Sequence, residues 1–147
     1  MSAMRRVLPL LALIAVCVQI GWAQSSTSPI GLWKTFDDKT GEAKSLLRIY
    51  EQNGLYFGKI EKTLRPNAQQ TCTKCKDDRK DKPIVGMVVM RNMKKDDEFT
   101  GGDILDPENG SVYKCKFRLE DGGKKLKVRG FIGFSMLGRS QTWERVE

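Results

Sequence analysis

The chain has 147 residues, 26 basic and 18 acidic side chains, four cysteines and no histidine. This length suits one domain with one modest core, and the missing imidazole excludes Ser-His and Cys-His nucleophilic pairs, histidine acid–base catalysis and nearly every zinc site. A net charge of +8 favours contact with anionic surfaces or ligands, although mixed charge of this kind is also the ordinary solvated face of a protein.

In chain order, the first element reads as an export signal. Arg5 and Arg6 precede an apolar run over residues 7–20 that contains Pro9, and Gly21-Trp22-Ala23 closes it. The run is shorter than the roughly 20 residues that span a bilayer as a helix, and a polar stretch from Gln24 to Ser28 follows. Residues 1–23 are therefore expected to be a secretory signal peptide, 24–30 a flexible lead-in, and 31–147 a single domain. Removing 23 of 147 residues leaves 124, and the loss of Arg5 and Arg6 lowers the charge from +8 to +6. Cys17 leaves with the signal, so three cysteines remain and cannot all pair. A lipidated Cys17 is the minor alternative, because Val16 stands where that processing wants a small residue. Export to the periplasm or beyond the cell argues against a nucleic-acid partner.

From Gly31 onward, short apolar or alternating runs are broken by turn residues every eight to twelve positions, the pattern of an all-β sandwich or barrel. The first strand is predicted over 31–36 and stops at Asp37-Asp38-Lys39-Thr40-Gly41. Residues 45–51 and 55–61 flank Asn53-Gly54, the strongest short-range hairpin signal. Residues 62–83 lack periodicity and read as a long loop carrying Cys72, Cys75 and the charged run 76–82; loops of this length are often functional. A buried strand over 84–93, with a short helix as the alternative, and a brief strand over 101–106 follow. Residues 111–120 alternate most clearly, with Tyr113, Cys115, Phe117 and Leu119 inward and Lys114, Lys116, Arg118 and Glu120 outward. After the turn Asp121-Gly122-Gly123, residues 125–132 repeat the alternation with Leu126, Val128 and Ile132 inward, and 139–144 form the last strand. About eight sequential strands joined mainly by short turns predict an antiparallel up-and-down barrel. Its interior is either packed solid or holds one small ligand.

Three blocks carry a family resemblance: Gly31-Leu32-Trp33-Lys34-Thr35-Phe36 with the turn to Gly41, Gly101-Gly102-Asp103 through Asp106-Pro107-Glu108-Asn109-Gly110, and Arg129-Gly130-Phe131-Ile132-Gly133 with Gly138-Arg139-Ser140-Gln141-Thr142-Trp143. Together they resemble the small exported bacterial proteins of the domain of unknown function 2147 type. The resemblance covers nearly all of 31–147 and implies a lipocalin-like (calycin) barrel with no established activity. Gly31-Leu32-Trp33 also resembles the Gly-x-Trp of lipocalins. That implies Trp33 as a structural plug beneath an arginine of the last strands, Arg139 or Arg145.

Cys72-Thr73-Lys74-Cys75 is the only feature that resembles reactive chemistry. A structural disulfide is favoured over redox activity, which wants a helix N-terminus beside a βαβ unit, and over metal ligation, for which ligands are too few. Cys115 is expected as a buried free thiol, with a bridge to Cys72 or Cys75 left open. Asp37-Asp38 and residues 106–110 read as turns, since the alternating ligands of a calcium loop are missing. Gly130, Gly133 and Gly138 bracket an apolar segment read as a barrel corner in preference to the lip of a cavity.

Tyr50, Tyr56, Tyr113 and Phe117 are core candidates first; an interior ligand is expected to meet Tyr56, Tyr113, Phe117 and Trp143, with the Tyr hydroxyls, Arg129, Ser135 and Arg139 as polar contacts. No catalytic set, metal site or cofactor is assigned, and the oligomeric state is not legible. The leading reading is a non-enzymatic, exported protein that binds a small amphipathic or anionic molecule. The alternative is a structural or interaction protein of the cell envelope, using its basic surface on an anionic partner. An enzyme built on Tyr, Lys or carboxylate ranks third.

Overall fold

The computed structural model describes residues 26–134 and 136–147. The expected signal peptide, Cys17 and Ser135 lie outside the described residues. Among those described, eight strands follow one another: β1 Gly31–Phe36, β2 Ala43–Gln52, β3 Leu55–Thr63, β4 Val88–Lys95, β5 Phe99–Asp106, β6 Ser111–Glu120, β7 Lys125–Phe131 and β8 Gly138–Arg145. Each pairs antiparallel with its neighbour in sequence, and β8 returns to β1, giving a closed all-β up-and-down barrel. Closure leaves no sheet edge open to another chain.

Local sequence explains most of this order. Cys115 and Phe117 in β6, and Leu126 and Val128 in β7, are buried while the residues between them are not, as a half-buried strand requires. Asn53 and Gly54 carry the chain from β2 to β3 with φ of 53° and 78°, the doubly left-handed geometry of a tight hairpin. Asp121–Gly123 form a short 3-10 turn between β6 and β7.

Two expectations are corrected. The strand expected from residue 84 begins at Val88; Ile84 and Met87 are buried but belong to the β3–β4 connection, where an apolar run anchors a loop as readily as it fills a strand. Ile132, expected to face inward, lies past the end of β7 and is 66% exposed. Within the lead-in, the Ser26 amide donates to the Gly122 carbonyl at 3.0 Å, and Pro29 is fully buried.

The long β3–β4 connection, residues 64–87, is stapled from within. Cys72 and Cys75 form a disulfide, Thr71 bridges Pro83, and the Cys72 amide donates to Lys82 O at 2.9 Å. Arg79 is buried; its guanidinium pairs with Asp77 and donates to Val88 O at 3.0 Å. The connection packs on the β5–β6 turn at Gly110, where φ is 74° and a Cβ would stand 2.0 Å from the Lys74 carbonyl oxygen. Only glycine permits that approach.

Candidate functional site

One end of the barrel is closed by Trp33. Its side chain is fully buried, its Nε1 donates to Pro29 O at 2.8 Å, and the Arg145 guanidinium lies 4.3 Å from the ring centroid, within cation–π range. Arg145 also ties the closing segments together, donating to Gly123 O, Ile30 O and Ser28 O at 2.6, 2.9 and 2.6 Å. Burial pulls its pKa down from the ordinary arginine value, and the three carbonyls and the ring compensate for the lost water. Above this plug the interior is solid. Phe99 stacks on Phe117 at 4.6 Å and meets Tyr56 edge-on at 5.0 Å, with Met93 and Leu126 fully buried nearby in the same core.

The opposite half is open. A cavity of about 380 Å³ reaches the mouth, near the small end of the roughly 300–1,000 Å³ range of ligand pockets. Its wall is mainly apolar, from Leu47, Ile60, Val89, Ile104, Val128 and Trp143 on six different strands. Two polar pairs interrupt it: the Thr35 and Ser45 hydroxyls 2.7 Å apart, and Trp143 Nε1 donating to Gln141 Oε1 at 2.9 Å. Gln69 and Ile84 from the stapled connection and Ile132 and Leu137 from the β7–β8 connection complete the mouth.

The rim is charged but internally paired. Arg65 holds Asp37, and its Nη1 reaches Glu108 at 2.8 Å; Lys44 reaches Glu108 at 3.2 Å; Arg139 reaches Asp38 at 3.2 Å. The Thr40 amide, Arg65 and the Lys39 amide hold the Asp37 carboxyl well below the usual carboxylate range, so it is ionised at any physiological pH. Among the described residues, Arg65 Nε is a buried donor with no hydrogen-bond partner.

A family model described as an uncharacterized protein conserved in bacteria (DUF2147) matches residues 31–145. The chain belongs to the DUF2147 family. No curated protein matches it. Among solved structures it is similar to protein HP1028 from the human pathogen Helicobacter pylori, described as belonging to the lipocalin family, with a TM-score of 0.73 and 15% identity over 83% of this chain and 85% of that one. At that identity the likeness concerns the fold, which is lipocalin-like in this DUF2147 member.

Of the residues expected around a ligand, Tyr113, Arg139 and Trp143 line the cavity. Phe117 and Tyr56 belong to the packed layer beneath it, because β5 brings Phe99 between them. Arg129 stands outside the lining and braces the β7–β8 connection, donating to Ser140 Oγ at 3.0 Å and Met136 O at 3.1 Å. The glycine-bracketed segment expected as a corner forms part of the lip, through Phe131, Ile132, Leu137 and Gly138. Of the two arginines considered for Trp33, Arg145 stacks on it while Arg139 sits at the mouth.

Cys72 and Cys75 are joined, a bond of the kind that persists in oxidising, exported compartments. Cys115 is a buried free thiol, and burial, reinforced by the charge of Asp103, pushes it up to about 12. Sequence reasoning missed Thr35, Ser45, Arg65, Gln69 and Ile84 at the site. Thr35 shares the face of Trp33 two residues on, and Ser45 shares that of Leu47, so period-2 reading could have found both; Arg65, Gln69 and Ile84 sit in an aperiodic connection and carry no such signal.

Proposed function

We propose that this DUF2147 protein binds one small amphipathic molecule in its barrel and does so outside the cytoplasm. The carrying observation is the cavity of about 380 Å³, walled mainly by apolar side chains and bordered by the charged rim. Such a wall suits an apolar body, and the rim suits a hydrogen-bonding head left near water. Lipocalin folds are generally associated with small-ligand binding, which supports the reading. The anionic option is the weaker one: Lys44, Arg65 and Arg139 are each engaged by a rim carboxylate, so the ligand is selected by apolar fit more than by charge. The disulfide and the signal-like 1–23 stretch support export.

Native mass spectrometry of protein isolated from its own host, with displacement of a neutral naphthylamine probe, tests the reading. A co-purifying small molecule, or saturable probe binding abolished by the cavity-filling Val128→Trp, is the expected result. An empty barrel that also fails to bind the probe would overturn it.

A further inference from the structure

We propose that the protein docks mouth-first on an anionic lipid surface through the β7–β8 connection and the outer face of β6 and β7. The connection concentrates exposed apolar surface. Within residues 132–137, Ile132, Phe134, Met136 and Leu137 are 66, 77, 85 and 67% exposed, yet Ile132 and Leu137 also reach the cavity mouth. Val112, exposed on the outer face of β6, lies at the same end of the barrel. Contiguous apolar side chains rarely face water without a partner.

Charge identifies that partner. Antiparallel register sets Lys114 beside Phe131, Lys116 beside Arg129 and Arg118 beside Lys127 on the outer face leading to the connection. Glu98 and Glu120 offset Lys116 and Arg118 toward the closed end, and Asp103 is the cross-strand neighbour of Lys114 on β5. Nearer the mouth, Lys114 makes no ion pair among the described residues, and neither does Lys127, which stands level with Arg118 farther down the same face. An apolar tip with a basic flank is the arrangement that inserts at an interface while the cations meet anionic headgroups. Arg129 holds the tip in place through Met136 O. In this pose the cavity mouth opens onto the bilayer, although the docking does not depend on the cavity being filled.

Vesicle flotation decides it, with wild type and variants carrying the same N-terminus so that the apolar 7–20 stretch contributes equally. Phosphatidylglycerol-rich vesicles are expected to bind wild type at least about tenfold more tightly than the double variant Phe134→Ser, Met136→Ser, and a second variant, Lys114→Glu with Lys127→Glu, is expected to lose a similar factor at low salt only. Phe134→Trp should show fluorescence quenched by brominated acyl chains. Phe134, Met136 and Lys114 are exposed and Lys127 is half-buried on the outer face, and thermal melts with neutral-probe titration in vesicle-free buffer establish that fold and cavity are intact. Equal flotation of wild type and the Phe134 double variant, or an unquenched Trp at 134, would overturn the proposal. So would a dimer that this double variant dissolves while vesicles go unbound, which would make the occupant a second copy of the chain.

Discussion

Two side chains withdrawn from water to different degrees do opposite jobs. Arg145 exchanges part of its water for three carbonyls and the face of Trp33, so a half-buried cation becomes the tie between the chain ends and the barrel floor. Cys115 has no such compensation, and its thiol is held protonated up to about 12 against an ordinary value of 9.0. The folded chain therefore keeps a proton that the unfolded chain releases above pH 9, and stability from this group is complete below that pH and lost as pH rises toward 12. The urea midpoint of wild type relative to Cys115→Ala is expected to fall across that window; parallel profiles would refute it. Iodoacetamide at pH 8 should leave Cys115 unmodified until denaturant is added.

At the scale of elements, the strands supply the wall and the connections decide what reaches it. The β3–β4 connection brings Arg65, Gln69 and Ile84 to the mouth and is held by the Cys72–Cys75 bond. Replacing both by Ser is expected to cost about 2 kcal/mol on the loop-closure argument for so short a ring. It should also weaken naphthylamine binding, read by thermal melting and probe titration. The β1–β8 seam pairs at Trp33 with Arg145 and at Lys34 with Glu144, both near the floor. Toward the mouth the Asp38–Arg139 ion pair spans the same two strands' ends. Exposed pairs are worth up to about 1 kcal/mol, so Arg139→Ala should speed probe dissociation by no more than about fivefold in stopped flow, with little change in melting temperature.

The strand order was largely legible because period-2 alternation and turn residues are local signals. Gly31–Phe36, Ser111–Glu120 and the Asn53-Gly54 hairpin fall where those signals put them. The start of β4 was misplaced because Ile84 and Met87 are apolar for the sake of a loop's anchorage, and composition does not distinguish the two uses. The site was less legible: Tyr113, Arg139 and Trp143 reach the cavity, while Phe117 and Tyr56 are consumed in packing beneath it.

Across the whole molecule, the closed barrel separates two electrostatic regimes. Rim cations are neutralised by rim carboxylates, whereas the outer face of β6 and β7 retains Lys114 and Lys127 without ion pairs among the described residues. Neutral-probe binding to the cavity should therefore change less than twofold between about 0.05 and 0.5 M salt, while attachment to anionic vesicles falls steeply over that range. A cavity affinity that tracks salt would show that a rim charge takes part.

The sequence by itself determined the strand order and the tight turns, because each follows from neighbours within a few positions, and its resemblance to the Gly-x-Trp of lipocalins marked Trp33 as the plug. Only the tertiary structure decided that Arg145 covers that ring, that half the interior stays open, and that residues 37, 65 and 108 share one ion-pair cluster. Those outcomes depend on the volume left once side chains from eight strands meet across a closed barrel, and on loops that bring distant charges together.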